Sequence, residues 1–105
     1  MRICLIGYGY WGKNLARVFG KDLVGICDYN EDNLNKARRA IDDVNYFSSW
    51  EQLYQSDLEY DTVAIATKAD THFELANKFL LSDKNIWLEK PACIRTRDIE
   101  YLIKI

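Results

Sequence analysis

Proline occurs once in this 105-residue chain, at Pro91, histidine once, at His72, and no apolar stretch is long enough to cross a membrane. The scarcity of proline, with no repeats, linkers or low-complexity stretches, excludes an extended or modular chain. Cysteine is odd in number, Cys4, Cys27 and Cys93, and no C-x-x-C spacing occurs. One histidine and these spacings do not make a usual zinc site. Cys4 and Cys27 fall inside apolar runs and read as small buried hydrophobes. Charge of one sign is also missing: the net charge of −2 gives no reason to expect nucleic acid or an anionic membrane as partner. The N-terminus carries one Arg and a short apolar run that a glycine turn cuts off, which is a strand and not a signal peptide. A cytoplasmic protein is the default expectation.

What is present is the balance of an ordinary globular domain. Hydrophobic residues make up 49% and charged residues 29%, so the chain can bury one small core. Strand-like runs alternate with helical ones throughout. Strands are expected at Arg2–Ile6, Leu23–Asp28, Val44–Phe47, Thr62–Ala66 and Asn85–Leu88. Helices are expected at Trp11–Phe19, Asn30–Ala40, Ser49–Gln55, Thr71–Leu81 and Arg95–Ile105. Continuous apolar runs such as Val63-Ala64-Ile65-Ala66 suit parallel strands covered on both faces. Caps are predicted from Asn30 with Asn33, Ser48 or Ser49 with Gln52, and Thr71 with Glu74. The predicted architecture is an α/β, Rossmann-type doubly wound parallel sheet of about five strands in the order 3-2-1-4-5.

One segment carries more than fold. Gly7-Tyr8-Gly9-Tyr10-Trp11-Gly12 follows the first strand and opens the first helix, and the second strand ends in Asp28. Strand, glycine turn, helix, strand and acid together form the dinucleotide-binding fingerprint. Gly7 allows the tight turn, Gly9 lets backbone approach a pyrophosphate, and Gly12 lets the helix pack closely on the first strand. The free N–H groups of the first helical turn favour an anion. Asp28 suits the adenosine ribose hydroxyls, and its charge repels a 2′-phosphate, which favours NAD over NADP. Arg38 and Arg39 lie too far along the next helix to reverse that preference. The plainer alternatives are an ordinary βα turn for the glycines and a strand-end or capping acid for Asp28. They require two coincidences at the right spacing.

Thr67-Lys68-Ala69-Asp70-Thr71-His72 follows the fourth strand and Glu89-Lys90-Pro91 the fifth. With the glycine turn, these segments resemble the Gfo/Idh/MocA oxidoreductase family, over essentially the whole chain. The Glu-Lys-Pro tripeptide after an apolar strand is the most specific element. The resemblance implies hydride transfer between a sugar or sugar-nucleotide carbinol and NAD. It places the Tyr10 and Trp11 amides at the pyrophosphate and Thr67 and His72 beside the nicotinamide half. Glu89 would lie near the nicotinamide ribose or carboxamide. Lys90 would reach the substrate hydroxyl, where a fixed cation stabilises developing alkoxide charge. Read from composition alone, Lys90 is a solvated loop lysine, Glu89 a surface acid and His72 a polar residue of a first helical turn.

The chain departs from the family pattern in two ways. The loop after the fourth strand usually reads Thr-Pro-Asn and here reads Thr67-Lys68-Ala69. The family's second α/β domain, which forms most of the sugar pocket, is also absent. The expectation is a dinucleotide-binding domain over 1–105 that binds cofactor but does not turn over alone. Its exposed second-domain face would invite a homo-oligomer. The alternative function is a stand-alone dinucleotide-sensing module. A methyltransferase is disfavoured because Ile6 stands where an acid usually precedes the glycine loop. A short-chain dehydrogenase is disfavoured because Tyr101 and Lys104 are one residue too close.

Overall fold

The computed structural model describes residues 1–67 and 69–88, with the backbone alone for Trp11, 69–73 and Leu88. Five parallel strands form one sheet: β1 (Ile3–Ile6), β2 (Leu23–Cys27), β3 (Asn45–Phe47), β4 (Thr62–Ile65) and β5 (Asn85–Leu88). Their spatial order is β3-β2-β1-β4-β5, the order expected from the alternating pattern. Four helices connect them: α1 (Tyr10–Phe19), α2 (Glu31–Ala40), α3 (Trp50–Tyr54) and α4 (Ala69–Leu80).

The central strands are apolar at every position but Thr62 because both faces are covered. Ile3 and Leu5 of β1 pack with Leu15 and Phe19 of α1 and Leu34 and Ala37 of α2. Cys4 and Ile6 point the other way, toward Leu53 of α3 and Leu75, Ala76 and Phe79 of α4. The period of two in each strand thus divides one apolar run between two cores. β2 breaks the alternation: Ile3 pairs with Leu23 but Cys4 with Gly25, so Val24 is an extra residue. This irregularity puts both Leu23 and Ile26 in the α1/α2 core. A Cβ at Gly25 would point into the opposite core, 2.9 Å from Cys4 Sγ.

The helix starts follow local chemistry. The Asn30 side chain accepts from the Asn33 amide at 3.0 Å, and Glu31 and Asp32 occupy the first turn of α2. At α3 both serines act: Ser49 Oγ accepts from the Gln52 amide at 3.2 Å, while the Ser48 amide donates to Gln52 Oε1 at 2.9 Å. Each such cap contributes about 1 kcal/mol. The third expected cap is corrected. α4 opens at Ala69, so Thr71 lies within the helix and not at its N-cap. Alanine is the strongest helix former and lets the helix begin before the threonine. Strand ends are shorter than the apolar runs suggested, and Arg2, Asp28, Val44 and Ala66 fall outside them. Asp28 still continues the pairing, its amide donating to Phe47 O at 3.1 Å. The expected helix at Arg95–Ile105 lies outside the described residues, as do Pro91 and Cys93.

Candidate functional site

Three of the five strands deliver backbone to one crevice at the carboxyl edge of the sheet. The Gly7 amide donates to Cys27 O at 2.8 Å, and the Ala66 amide donates to Ile6 O at 2.8 Å. The first residues beyond β1, β2 and β4 are thereby locked side by side. In a doubly wound sheet this is the point where strand order reverses and ligands bind.

The three glycines of the turn serve three different physical needs. Gly7 has φ +101°, a left-handed conformation that L side chains rarely adopt, and a Cβ there would lie 3.0 Å from the Ala66 carbonyl. A Cβ at Gly12 would sit 1.8 Å from Gly7 O, which backbone cannot accommodate. The close approach that Gly12 permits is therefore between helix and glycine turn. Gly9 is different. Its φ of −79° is open to any residue, and a Cβ there would meet nothing within 4 Å among the described residues. The fold gives no reason for glycine at this position, whereas a group seated on the turn would.

The helix that follows points to the same place. Gly9 is the N-cap of α1 and supplies no side-chain hydrogen bond, and the first turn holds no acid. By contrast, α2 and α3 have capping side chains and acids in their first turns. The first turn of α1 thus lacks the capping side chain and the acid that its neighbours carry, in the manner of an anion site.

Asp28 closes the β2 side, and its carboxylate is held by three donors. Oδ2 accepts from the Tyr8 amide at 2.7 Å and from Asn33 Nδ2 at 3.3 Å, and Oδ1 accepts from the Asn30 amide at 2.8 Å. The acid therefore ties the glycine turn to the β2–α2 turn, beyond the strand-end position read from the sequence. Two contributors were not singled out from the sequence. Asn33 was visible as a capping partner, but its backbone amide fills that role and leaves its side chain for Asp28. Tyr8 is 5% exposed, and its ring in the α1/α2 core anchors the amide that Asp28 receives.

The other expected site residues divide cleanly. Tyr10 and Trp11 are the first two residues of α1, directly after its N-cap Gly9. Thr67 is half-buried and stands against Gly7: a Cβ on Gly7 would be 3.1 Å from its Cγ2. His72 lies in the first turn of α4, directly after β4, and its side chain is outside what is described. Glu89, Lys90 and Lys68 lie outside the described residues. Among the described residues no group of three or more His, Cys, Asp or Glu is placed to hold a metal ion, and no helix is long and apolar enough to cross a membrane.

The family model for the Gfo/Idh/MocA oxidoreductases, NAD-binding Rossmann fold, matches residues 1–105. The chain belongs to this family. It is similar to the uncharacterized oxidoreductase YdgJ of Escherichia coli K12, with 30% identity over 99% of this chain and 31% of that protein. It is also similar to family 109 glycosyl hydrolase protein 2 of a Shewanella species, with 30% identity over 87% of this chain and 23% of that protein. Among solved structures, the WlbA dehydrogenase of Bordetella pertussis, in complex with NADH and UDP-GlcNAcA, superimposes with a TM-score of 0.84. It shares 28% identity over 99% of this chain and 32% of that one. The UDP-N-acetylglucosamine 3-dehydrogenase GnnA of Acidithiobacillus ferrooxidans gives a TM-score of 0.81 and 29% identity, over 99% of this chain and 33% of that one. This Gfo/Idh/MocA chain spans less than a third of the curated relatives described here.

Proposed function

We propose that this chain is the NAD(H)-binding domain of a dehydrogenase acting on a carbinol of a sugar or sugar nucleotide. The observation that carries the reading is Gly9, a glycine that neither its φ nor the packing of the described residues requires, at the N-cap of a helix whose first turn holds no acid. A pyrophosphate on that turn explains both features at once: it fills the open space and neutralises the helix end. Gly7, Gly9 and Gly12 form the cradle, the Tyr10 and Trp11 amides donate to the phosphate oxygens, and Asp28 accepts from the adenosine ribose. The three donors on Asp28 hold its carboxylate in one orientation.

NAD is favoured over NADP by more than one acid. Glu31 and Asp32 stand in the first turn of α2, three and four residues after Asp28, and a 2′-phosphate would meet this acidic group. Bound nicotinamide would supply the hydride acceptor or donor. Thr67, His72 in the first turn of α4, and Glu89, which follows β5 in the sequence, serve the nicotinamide side. Lys90 directs its charge at the substrate hydroxyl and stabilises alkoxide character as the proton leaves. A sugar-nucleotide substrate is supported by two relatives whose names carry one, the NADH-bound WlbA complex and GnnA.

The test is a titration of the chain with NADH and NADPH, followed by cofactor fluorescence, on the parent and on Asp28→Asn. NADH is expected to bind at least about tenfold more tightly than NADPH. The isosteric amide should narrow that ratio by removing the charge while leaving the turn in place. Absence of binding by either cofactor at millimolar concentration, or equal affinity for both, would overturn the reading.

A further inference from the structure

Tyr29, directly after Asp28, is 64% exposed, yet it is held at both ends. Its backbone lies in the turn closed by the Asn30 amide on Asp28 Oδ1 at 2.8 Å. Its hydroxyl donates to Glu51 Oε1 at 3.1 Å, across to the first turn of α3. An exposed aromatic residue needs no explanation on its own. A ring that contributes little to the core and is still pinned from the β2–α2 turn to α3 is a flat apolar surface fixed in advance. The bond to Glu51 puts the outer end of the ring at the start of α3, on the sheet face that α3 covers.

We propose that Tyr29 is the wall against which the purine base of the dinucleotide stacks, with Glu51 as the positioning residue that fixes the ring. The proposal rests on the dinucleotide reading above. With the ribose on Asp28, the base emerges within one residue's reach of that carboxylate, and Tyr29 is the residue next to it. A ring already immobilised loses little freedom when a base settles on it. Aromatic stacking on a base is sequence-tolerant and large enough to read as a change in affinity. Burial and the hydrogen bond to Glu51 hold the Tyr29 hydroxyl above its usual pKa, so it stays a donor across the working range.

The experiment measures NADH and AMP dissociation constants by calorimetry for the parent chain and four variants. Tyr29→Ala should weaken both ligands by about tenfold with an unchanged melting temperature, since the ring is outside the core. Tyr29→Phe and Glu51→Ala, which release the tether and keep a ring, should weaken both by a few fold. Glu51→Gln retains an acceptor oxygen and should bind as the parent does. Parent-like affinity of Tyr29→Ala for NADH and AMP would overturn the stacking role while leaving the dinucleotide site standing. Equal losses in Glu51→Gln and Glu51→Ala would overturn the tether. A parent chain that binds neither ligand would overturn the dinucleotide reading and this proposal with it.

Discussion

Gly9 and Gly12 stand three residues apart in one turn, and the fold requires only the second of them to be glycine. A Cβ at Gly12 would be driven to 1.8 Å from a backbone oxygen that is itself held by the turn. Gly12→Ala should therefore cost more than about 3 kcal/mol or prevent folding, because no flexible side chain can give way. At Gly9 a methyl group has free space and an ordinary φ. Gly9→Ala should fold with stability within about 0.5 kcal/mol of the parent and lose about tenfold or more in NADH affinity. Urea denaturation and NADH titration on the two variants separate these effects. A Gly9→Ala chain that binds NADH like the parent would show that the open space is not where the phosphates sit. The fingerprint was legible as a motif, but the division of labour within it was not. Spacing shows that glycine recurs, whereas only the neighbours of each absent Cβ show what would collide with it. Asp28 teaches the same point. Its place after β2 was readable, while its grip on the Tyr8 amide depends on two turns meeting in space. Asp28→Ala would loosen the glycine turn as well as the ribose contact, which is why the amide variant is the cleaner probe.

At the scale of elements, the amino ends of β1 and β4 are clamped by polar groups, in contrast to their apolar middles. Asp61 accepts from the Arg2 amide at 3.2 Å and from the Thr62 hydroxyl at 2.7 Å, while Arg2 Nε donates to Glu59 O at 2.8 Å. The Thr62 hydrogen bond foremost, then the Arg2 amide and nearby positive charge, lower the Asp61 pKa below its usual 3.8. A carboxylate with a lowered folded pKa stabilises fully above its unfolded value, and that contribution fades as pH falls through the folded value. Asp61→Asn should thus show a lower urea midpoint than the parent at pH 7, with the gap closing below about pH 3.8. A gap that persists unchanged at pH 2.5 would assign the effect to side-chain shape and not to charge. Element type was readable here because both strands are short apolar runs beside turn residues. Their ends were not, since a strand stops where its partner's hydrogen bonds stop. Likewise α4 starts at Ala69, because helix propensity before Thr71 outweighed the capping signal that Thr71 and Glu74 offered.

For the molecule as a whole, strand order followed from alternation and handedness alone, since right-handed crossovers leave few ways to lay five parallel strands. The bulge at Val24 and the assignment of each residue to one of two cores were beyond a linear pattern, because they depend on pairing register. The two cores share a consequence for alkaline stability. Burial pushes the Cys4 and Cys27 thiols from 9.0 up to about 12, and it pushes the Tyr60 phenol to about 12. Tyr46 is raised as well, by burial first. For an acid whose folded pKa lies above its unfolded one, the stabilisation is complete below the unfolded value and is lost as pH rises toward the folded value. The folded chain therefore holds more protons than the unfolded chain between about pH 9 and 12, and its urea midpoint should fall steadily across that window. The slope is a property of the whole fold, since the thiols lie in the central strands β1 and β2, Tyr46 lies in β3 and Tyr60 just before β4. Replacing both thiols, as Cys4→Ala with Cys27→Ala, should make the decline shallower, even though the missing sulfur atoms lower the midpoint at pH 7. A thiol-reactive dye at pH 8 gives an independent check on a Cys93→Ser background: no labelling of the native chain and labelling of both thiols in urea. Rapid labelling of the native chain would mean that the sheet opens far more often than its packing implies.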